Sequence, residues 1–285
     1  MSAPRLVAVG DNCLDVYLSK GLMTVGGNAL NVAVHWHRRG WPARYFGAVG
    51  DDVEGNVILE ELRKVGLSPG DVERCLGDTA VTLLRDESGD RKFLMETLGV
   101  GRDYMPTEQH YGIIAAADWA HLGTNANADL IRRLVADHVA FSVDLSTVPL
   151  ALPLEDVPLV FASGPDDPDE PIQPLVTALR DAGARQVVVT CGSRGAFFSD
   201  GGVLLRAPAM PVRVVDTCGA GDSFIAAFLA AFCCEKRGAA ESLREATVQA
   251  AETCLYLGGF PQTPCRIPGS LLAKYEAFTS RVGGS

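Results

Sequence analysis

The sequence predicts an α/β protein with a doubly wound, mostly parallel sheet flanked by helices. Short runs of branched apolar residues alternate with longer segments of helical periodicity, which is the pattern of repeated βαβ units. Aromatic residues make up only 7% of the 285 residues, and this composition suits a helix-covered sheet better than a β-sandwich. No linker or low-complexity tract divides the chain, so we expect one domain over residues 1–285.

Strand and helix candidates alternate along most of the chain. Strands are predicted at residues 6–10, 44–49, 120–123, 141–144, 159–163 and 187–190, and helices at 28–34, 52–65, 129–138, 224–232, 239–257 and 270–282. Gly66 should end the helix at 52–65, because glycine adopts the left-handed backbone of a helix C-terminus at little cost. Residues 81–85 and 91–95 flank a polar turn, which predicts a β-hairpin inserted into the alternation.

Charge and cysteine usage limit the partners and the compartment. The net charge is −10, which argues against nucleic acid or an anionic membrane as a partner, since both need a basic face. An acidic protein can still bind phosphate through backbone amides and a divalent cation. The eight cysteines include no zinc-type Cys-x-x-Cys pair, and we expect free, buried or half-buried thiols. Without a signal-peptide pattern or a long apolar run, a cytoplasmic protein is expected.

The stretch at residues 214–224 carries the clearest chemical signal. Gly219, Ala220 and Gly221 precede an apolar helix, so they lie at a helix N-terminus, where free N–H groups and the helix dipole favour an anion. Asp222, in the first turn, is placed to take a proton from a hydroxyl while the N–H groups stabilise a transferring phosphoryl group. Taken alone, these four residues could also be an ordinary helix start, because Asp is common there.

A second group of polar residues lies near the end of the first predicted strand. Ligands of open α/β sheets bind beyond the carboxyl ends of the strands, although an Asp at this point can also simply form a turn. A glycine pair then opens a helix that carries two Asn side chains on one face. Carboxylates and amides can bridge neighbouring hydroxyls, so this group suits a polyol. Its members are Asp11, Asp15, Gly26, Gly27, Asn28 and Asn31.

The string Asp-Thr-Cys-Gly-Ala-Gly-Asp at residues 216–222 resembles the signature of the ribokinase-like (PfkB) family of carbohydrate kinases. Other matching pieces follow in the family's order along nearly the full chain. The resemblance implies a ribokinase-like fold and ATP-dependent transfer of phosphate to a sugar hydroxyl, with Mg²⁺ as cofactor. It implies that Asp222 is the catalytic base and that residues 219–221 form the anion hole. Asp15, five places after Gly10, and the Gly-Gly pair with Asn31 match positions that bind the sugar.

The resemblance also implies where the nucleotide binds. Thr190, Gly192 and Gly195 match a Thr-x-Gly-x-x-Gly stretch that lies beside the nucleotide in the family. By itself this pattern could equally be a plain connection between strands. Ser163 stands at the first position of an Asn-x-x-Glu motif that family members use for magnesium and phosphate contacts, and here the motif departs at both ends.

Two cation contacts follow from the same resemblance. Asp166 stands at the last position of that motif and would contact Mg²⁺, an ion that keeps several waters and so tolerates such changes. Asp216 and the carbonyl group of Cys218 would bind a monovalent cation, K⁺.

The acceptor and the lid are implied by a narrower match. Residues 10–17 and 26–34 are similar to the corresponding strings of fructoselysine 6-kinases, which implies an amine-linked ketose phosphorylated at its 6-hydroxyl. The family's β lid is expected from residues 16–25 and 80–97, and the first of these segments is short, so we expect a reduced lid with room for the substrate's tail. Ribose, fructose, 2-keto-3-deoxygluconate and adenosine are the alternative acceptors. A homodimer is compatible with these expectations.

Two functions of other classes compete with the kinase. A hydrolase would use Ser223 beside Asp222, or the near-elbow at residues 191–195, but Cys191 stands where a nucleophile elbow needs glycine. A non-catalytic sugar-binding protein on the same fold would be expected to have lost Asp222. Neither a P-loop nor a dinucleotide-binding Gly-x-Gly-x-x-Gly follows the first strand.

Overall fold

The computed structural model describes residues 5–87, 90–147 and 152–279. Its strands are β1 Leu6–Val9, β2 Cys13–Tyr17, β3 Leu22–Gly26, β4 Ala43–Gly50, β5 Val72–Cys75, β6 Val81–Glu87, β7 Asp90–Thr97, β8 Trp119–Leu122, β9 Phe141–Asp144, β10 Leu159–Ser163, β11 Val187–Thr190, β12 Ala196–Ser199, β13 Leu205–Ala207 and β14 Cys265–Arg266. Its α-helices are α1 Asn28–Arg38, α2 Val53–Val65, α3 Glu108–Ala115, α4 Ala128–Ala136, α5 Gln173–Asp181, α6 Ala220–Leu229, α7 Ala239–Thr253, α8 Gly269–Lys274 and α9 Glu276–Thr279.

A large, mostly parallel sheet forms the centre of the protein. Within the described residues its strand order is β13-β12-β11-β10-β9-β8-β1-β4-β5. The strands from β11 to β5 pair in parallel, and β12 and β13 continue the sheet antiparallel. The chain leaves β1 towards β4 on one side and later returns to β8 on the other. The predicted fold class is therefore confirmed, and the reversal of strand order at β1 opens a crevice at the carboxyl ends of β1 and β8.

Helices cover both faces of this sheet. One apolar core packs α1, α2, α6 and α7 against one face, and a second packs α3, α4 and α5 against the other. Strands enclosed in this way are buried on both sides, which is why Val187, Val188 and Val189 form an unbroken apolar run. The two helices that matter most for function, α1 and α6, lie side by side on the first face. The indole N–H of Trp36 donates to the carbonyl oxygen of Ala226 at 2.9 Å and ties them together.

A second sheet of five described strands has the order β14-β3-β2-β6-β7. The predicted hairpin is its β6–β7 pair, and the turn residues 88 and 89 lie outside the described residues. Its first segment begins earlier than predicted, because β2 starts at Cys13, within the polar group that follows β1. Strand β14 was not predicted, since two residues are too few to give a strand pattern. The side chain of Gln262 extends this edge by donating to the carbonyl oxygen of Val25 and accepting from its N–H.

The helices differ from the prediction mainly at their ends. Gly66 ends α2 with φ +88°, as predicted. Helix α6 begins at Ala220 and passes into a wider π-helical turn over Ala230–Cys234. The single helix predicted at 270–282 is instead α8 and α9, interrupted at Tyr275, whose backbone leaves the helical region while its side chain is buried; residues 280–282 lie outside the described residues.

The cysteines are free, as predicted, and all eight lie in the described residues. Cys265 is an exception to the predicted burial, because the edge strand β14 leaves it exposed. Among the helices that the structure describes, none has the length and apolar character needed to cross a membrane.

Candidate active site

The site begins where β1 and β8 end side by side. Asp11 follows β1, and its carboxylate accepts from the backbone N–H groups of Asn28 at 2.6 Å and Ala29 at 3.2 Å, the first turn of α1. Gly123 follows β8, and a Cβ there would overlap the Asp11 carboxylate. Asp11 therefore fixes the start of α1 to the end of β1. Burial, partly offset by these N–H groups and reinforced by the charge of Asp222, raises the pKa of Asp11 to about 7.

The glycine pair gives the chain a close approach that other residues would prevent. Gly27 precedes α1 with φ +109°, and a Cβ at this position would overlap the backbone of Asn12. A Cβ at Gly26 would instead overlap the carboxylate of Asp15. The glycine pair thus allows the start of α1 and the carboxylate of Asp15, both predicted parts of the site, to lie close to one short turn.

Asp222 lies in the first turn of α6 and faces the two predicted Asn side chains. The amide nitrogen of Asn28 donates to its Oδ1 at 2.7 Å, and that of Asn31 donates to its Oδ2 at 2.6 Å. Residues that lie far apart in the sequence are therefore held in one hydrogen-bonded group by the packing of α1 on α6. The carboxylate remains partly exposed, while Asn28 and Asn31 are buried.

The amide oxygens of these two Asn residues define what the site can bind. Oδ1 of Asn28 and Oδ1 of Asn31 are both buried, and neither has a hydrogen-bond partner among the residues that the structure describes. An unpaired buried acceptor costs roughly 1–3 kcal/mol, which a ligand hydroxyl would recover by donating to it. Two acceptors beside a carboxylate are suited to a ligand with several hydroxyl groups.

Asp144, at the end of β9, belongs to the same group and was not predicted as a site residue. It is 8% exposed, and its Oδ2 accepts from the amide nitrogen of Asn28 at 2.8 Å. Burial, with the charges of Asp222 and Asp11, raises its pKa to about 7. A carboxylate that ends a parallel strand is a signal that could have identified it, because those strand ends meet at one edge of the sheet.

Asp15 faces the site from the second sheet and lies between two thiols. The Cys13 Sγ is 3.5 Å from its Oδ1, and the Cys218 Sγ is 3.4 Å from its Oδ2, in both cases within S–H donor range. Asp15 is 6% exposed. The contact with Cys218 joins β2 to the turn that precedes α6, so the two halves of the predicted site meet here.

The carboxylate of Asp216 holds the turn before α6 in place through hydrogen bonds. Its carboxylate accepts from the hydroxyl of Tyr17 at 2.6 Å and from the backbone N–H groups of Cys218 and Gly258, each at 3.0 Å. These bonds connect the second sheet, the Gly-Ala-Gly turn and the segment after α7. The predicted cation residues Asp216 and Cys218 are thus adjacent, and they present a carboxylate and a backbone carbonyl, which are oxygen ligands typical of hard cations.

The Gly-Ala-Gly turn forms the helix start that the sequence predicts. Gly219 has φ +70°, and a Cβ would overlap Gly259, whereas a Cβ at Gly221 would meet only open space. Ala220 begins α6 and its N–H donates to the carbonyl oxygen of Thr217 at 3.3 Å, and Gly221 follows it in the first turn, where backbone N–H groups point out of the helix start. Ser223 is fully buried and donates to the carbonyl oxygen of Ala220 at 3.0 Å, which does not suit a nucleophile.

The predicted nucleotide residues gather at the ends of β10 and β11. Ser163 and Thr190 are partners in the parallel pairing of these strands, and Gly192 begins the following turn with φ +45°. A Cβ at Gly192 would overlap the carboxylate of Asp166, so the predicted magnesium residue rests directly against this turn. Gly195, at φ +91°, closes the turn where a Cβ would overlap the carbonyl oxygen of Ala207.

Arg194 is a further residue of this region that the sequence did not reveal. Its guanidinium donates to the carbonyl oxygens of Pro165, Asp167 and Glu170, at 2.9, 2.6 and 2.9 Å, and so holds the loop that contains Asp166. Over the ranges described, no group of three or more His, Cys, Asp or Glu side chains is arranged to hold a metal ion.

Comparison with known proteins extends these observations over most of the chain. The model of the pfkB family carbohydrate kinases matches residues 6–124 and 159–264. The chain belongs to the PfkB family of carbohydrate kinases. It is therefore a phosphotransferase that acts on a sugar hydroxyl, and the hydrolase and the non-catalytic alternatives are set aside.

Curated relatives of this PfkB kinase include two that act on sugar–amine conjugates by name. A fructosamine kinase of Bacillus subtilis (strain 168) is 32% identical over 264 residues, covering 90% of this chain and 93% of the relative. Fructoselysine 6-kinase of Escherichia coli (strain K12) is 34% identical over 262 residues, covering 90% and 99%. The predicted resemblance to fructoselysine kinases is confirmed by these matches.

Solved structures agree on the fold of the PfkB kinase. Arabidopsis thaliana ribokinase, determined with ribose and ATP, superposes with a TM-score of 0.78 at 22% identity, covering all of both chains. An E. coli protein described as a putative ribokinase II, with ATP and Mg²⁺, gives a TM-score of 0.71 at 17% identity, covering 98% of this chain and all of that one. At these identities the likeness establishes the ribokinase-like fold.

Proposed function

We propose that this PfkB kinase transfers the γ-phosphate of ATP to the 6-hydroxyl of an amine-linked ketose of the fructoselysine type. Asp222 is the base that removes the proton of the hydroxyl. The N–H groups of Gly219, Ala220 and Gly221 stabilise the charge that develops on the transferring phosphoryl group.

One observation carries the assignment of the chemistry. The Asp222 carboxylate lies in the first turn of α6 and is held at both oxygens by the amide nitrogens of Asn28 and Asn31. A base needs a fixed position within hydrogen-bond reach of the hydroxyl, and the two amides supply it. The adjoining helix start supplies the anion site that phosphoryl transfer requires.

The acceptor hydroxyls bind to the buried polar atoms around this base. Oδ1 of Asn28 and Oδ1 of Asn31 accept from them, and Asp15 adds a carboxylate from the second sheet, which acts as a lid over the sugar. Asp11, Gly26 and Gly27 hold these groups in place. A site built to bind hydroxyls in this way discriminates strongly, because the wrong ligand leaves buried polar atoms unpaired.

The choice of an amine-linked ketose rests on the relatives. Two of them, at 32% and 34% identity across 90% of the chain, are named for fructosamine and fructoselysine. The ribokinase relative of Arabidopsis thaliana is 26% identical, and its name favours ribose as the second candidate acceptor.

ATP and Mg²⁺ complete the reaction. Ser163, Thr190, Gly192 and Gly195 form the nucleotide side of the site at the ends of β10 and β11. Asp166 offers one carboxylate beside this turn, which fits Mg²⁺, because that ion is held by one or two carboxylates together with phosphates and water. When bound, the ion neutralises phosphate charge. A monovalent cation at Asp216 and the Cys218 carbonyl supports the anion hole.

An acceptor screen tests the proposal. ADP release is measured with ATP and Mg²⁺ for fructoselysine, ribose, fructose, 2-keto-3-deoxygluconate and adenosine, and the product is located by NMR. We expect the highest kcat/KM for fructoselysine, with phosphate at the 6-position. A higher kcat/KM for any other acceptor would overturn the substrate and leave the kinase chemistry intact.

A further inference from the structure

Asp144 is the buried carboxylate of the site that the chemistry above does not use. It ends β9, the strand between those that carry the sugar site and those that carry the nucleotide site. Its Oδ1 accepts from the backbone N–H of Ser146 at 3.0 Å, and its Oδ2 accepts from Nδ2 of Asn28 at 2.8 Å. The first bond fixes the carboxylate to its own loop, and the second directs it towards α1.

The side-chain amide of Asn28 connects Asp144 to Asp222. Its nitrogen has two hydrogens and donates one to Asp144 and the other to Asp222 Oδ1, at 2.8 and 2.7 Å. An amide rotated by 180° would turn its oxygen towards two carboxylates, so this orientation is imposed on Asn28. It also leaves Oδ1 of Asn28 as a buried acceptor without a hydrogen-bond partner in the described part of the chain. One carboxylate thus determines both the position of Asp222 and the direction of a sugar-binding oxygen.

Charge limits how Asp144 acts on the base. The charged groups that face Asp144 are Asp222 from α6 and Asp11 from the end of β1, whereas α1 contributes the neutral amide of Asn28. Burial, together with these like charges, raises the pKa of Asp144 to about 7, so Asp144 is mainly neutral below this pH. At the lower pH at which a carboxylate base takes up its proton, Asp144 therefore acts on Asp222 through its hydrogen bonds with Ser146 and Asn28.

We propose that Asp144 is a positioning residue for phosphoryl transfer, which holds Asp222 at the acceptor hydroxyl through Asn28. The inference rests on the proposed role of Asp222 as the base. It adds a residue from the middle of the sheet to a mechanism otherwise formed by α1, α6 and the second sheet.

The test compares Asp144→Asn with wild type in kcat, in KM for both substrates and in the pH profile of kcat/KM. We expect kcat to fall between about tenfold and a hundredfold, because the base is held less well, with KM for ATP unchanged. Activity requires the ionised base, and an Asp222 carboxylate that the Asn28 amide holds less firmly takes up a proton more readily, so the acid limb should move to higher pH. A wild-type kcat and an unmoved acid limb would overturn the proposal.

A matched control separates this effect from loss of stability. Asp71 is equally buried, pairs with Arg44 directly before the edge strand β5, and in Asp71→Asn should lose stability without moving the acid limb. Should Asp144→Asn not fold, Asn28→Ala tests the same connection, since Asp222 then loses a donor to its ionised form and the acid limb should move to higher pH.

Two results distinguish this inference from the proposed function. An Asp222→Asn enzyme with full activity would remove the base itself. An inactive Asp222→Asn enzyme, combined with an unmoved acid limb in both Asp144→Asn and Asn28→Ala, would remove only the role of Asp144.

Discussion

The side-chain amide of Asn31 donates to the carboxylate of Asp222 at 2.6 Å, although 191 residues separate them in the chain. The contact exists because α1 and α6 pack side by side, tied by the hydrogen bond from Trp36 to the carbonyl oxygen of Ala226. The proposed base and the amides proposed to bind the sugar are thus held by two helices, whereas Asp15 reaches the site from a separate sheet. This arrangement leads to predictions that separate chemistry, binding and stability.

Replacing Asp222 should affect the chemical step. In Asp222→Asn the shape is retained but the base is lost, so we expect kcat to fall by roughly 10²–10⁴ while both substrates still bind. Steady-state kinetics and calorimetric titration of sugar and nucleotide measure the two effects. Near wild-type kcat in a folded variant would exclude Asp222 as the base.

Replacing Asp15 should affect the acceptor alone. Asp15→Ala removes a buried carboxylate of the proposed sugar site, and we expect KM for the proposed ketose to rise about ten- to a hundredfold, with KM for ATP nearly unchanged. Asp15→Asn, which keeps the size of the side chain, should show a smaller rise. Equal changes in the two KM values would show that Asp15 acts on the whole site and does not select the sugar.

The two glycines of the proposed anion hole should respond differently to a side chain. At Gly221 a Cβ meets open space, so Gly221→Val should fold and lose kcat by blocking the phosphate. At Gly219 the backbone has φ +70° and a Cβ would overlap Gly259, so Gly219→Val should lower the free energy of unfolding by about 2 kcal/mol or more. Urea unfolding and kinetics on both variants distinguish the outcomes. A wild-type kcat in Gly221→Val would show that the Gly-Ala-Gly turn has only a structural role.

The buried carboxylates should make stability depend on pH. The pKa of Asp144 in the folded protein is raised to about 7 from its ordinary value of 3.8, chiefly by burial. Between about pH 4 and 7 the folded state therefore binds more protons than the unfolded chain, and stability falls as the pH rises. Asp144→Asn should lose less stability than wild type over this range, by on the order of 2–4 kcal/mol in urea unfolding. Parallel curves for the two proteins would contradict this.

A monovalent cation should support the turn that Asp216 organises. The Asp216 carboxylate and the Cys218 carbonyl lie directly before the Gly-Ala-Gly turn, so an ion there stabilises the anion hole. We expect activity to rise severalfold when KCl replaces tetramethylammonium chloride at constant ionic strength. Equal reaction rates in the two salts would contradict the proposed cation site at Asp216 and Cys218.

The sequence alone determined the fold class and the family, and it predicted most residues of the proposed site. Local patterns are sufficient for these predictions, because the backbone geometry of such a pattern depends on only a few neighbouring residues. Examples are a branched apolar run before a Gly-rich turn and a Gly-Gly pair before two Asn residues. Gly27 and Gly219 are examples, since their positive φ angles follow from the turns in which they lie.

Only the tertiary structure decided which of these residues meet. From the sequence, Asp144 is only the last residue of a predicted strand. It contacts Asn28 because the position of β9 in the sheet brings the carboxyl end of this strand next to α1. The sequence likewise did not predict strand β14 or the hydrogen bonds of Gln262 with Val25. Pairing at this sheet edge depends on a partner more than 230 residues away in the chain. Local sequence encodes the conformation of a turn, whereas a contact between distant side chains depends on how whole elements pack.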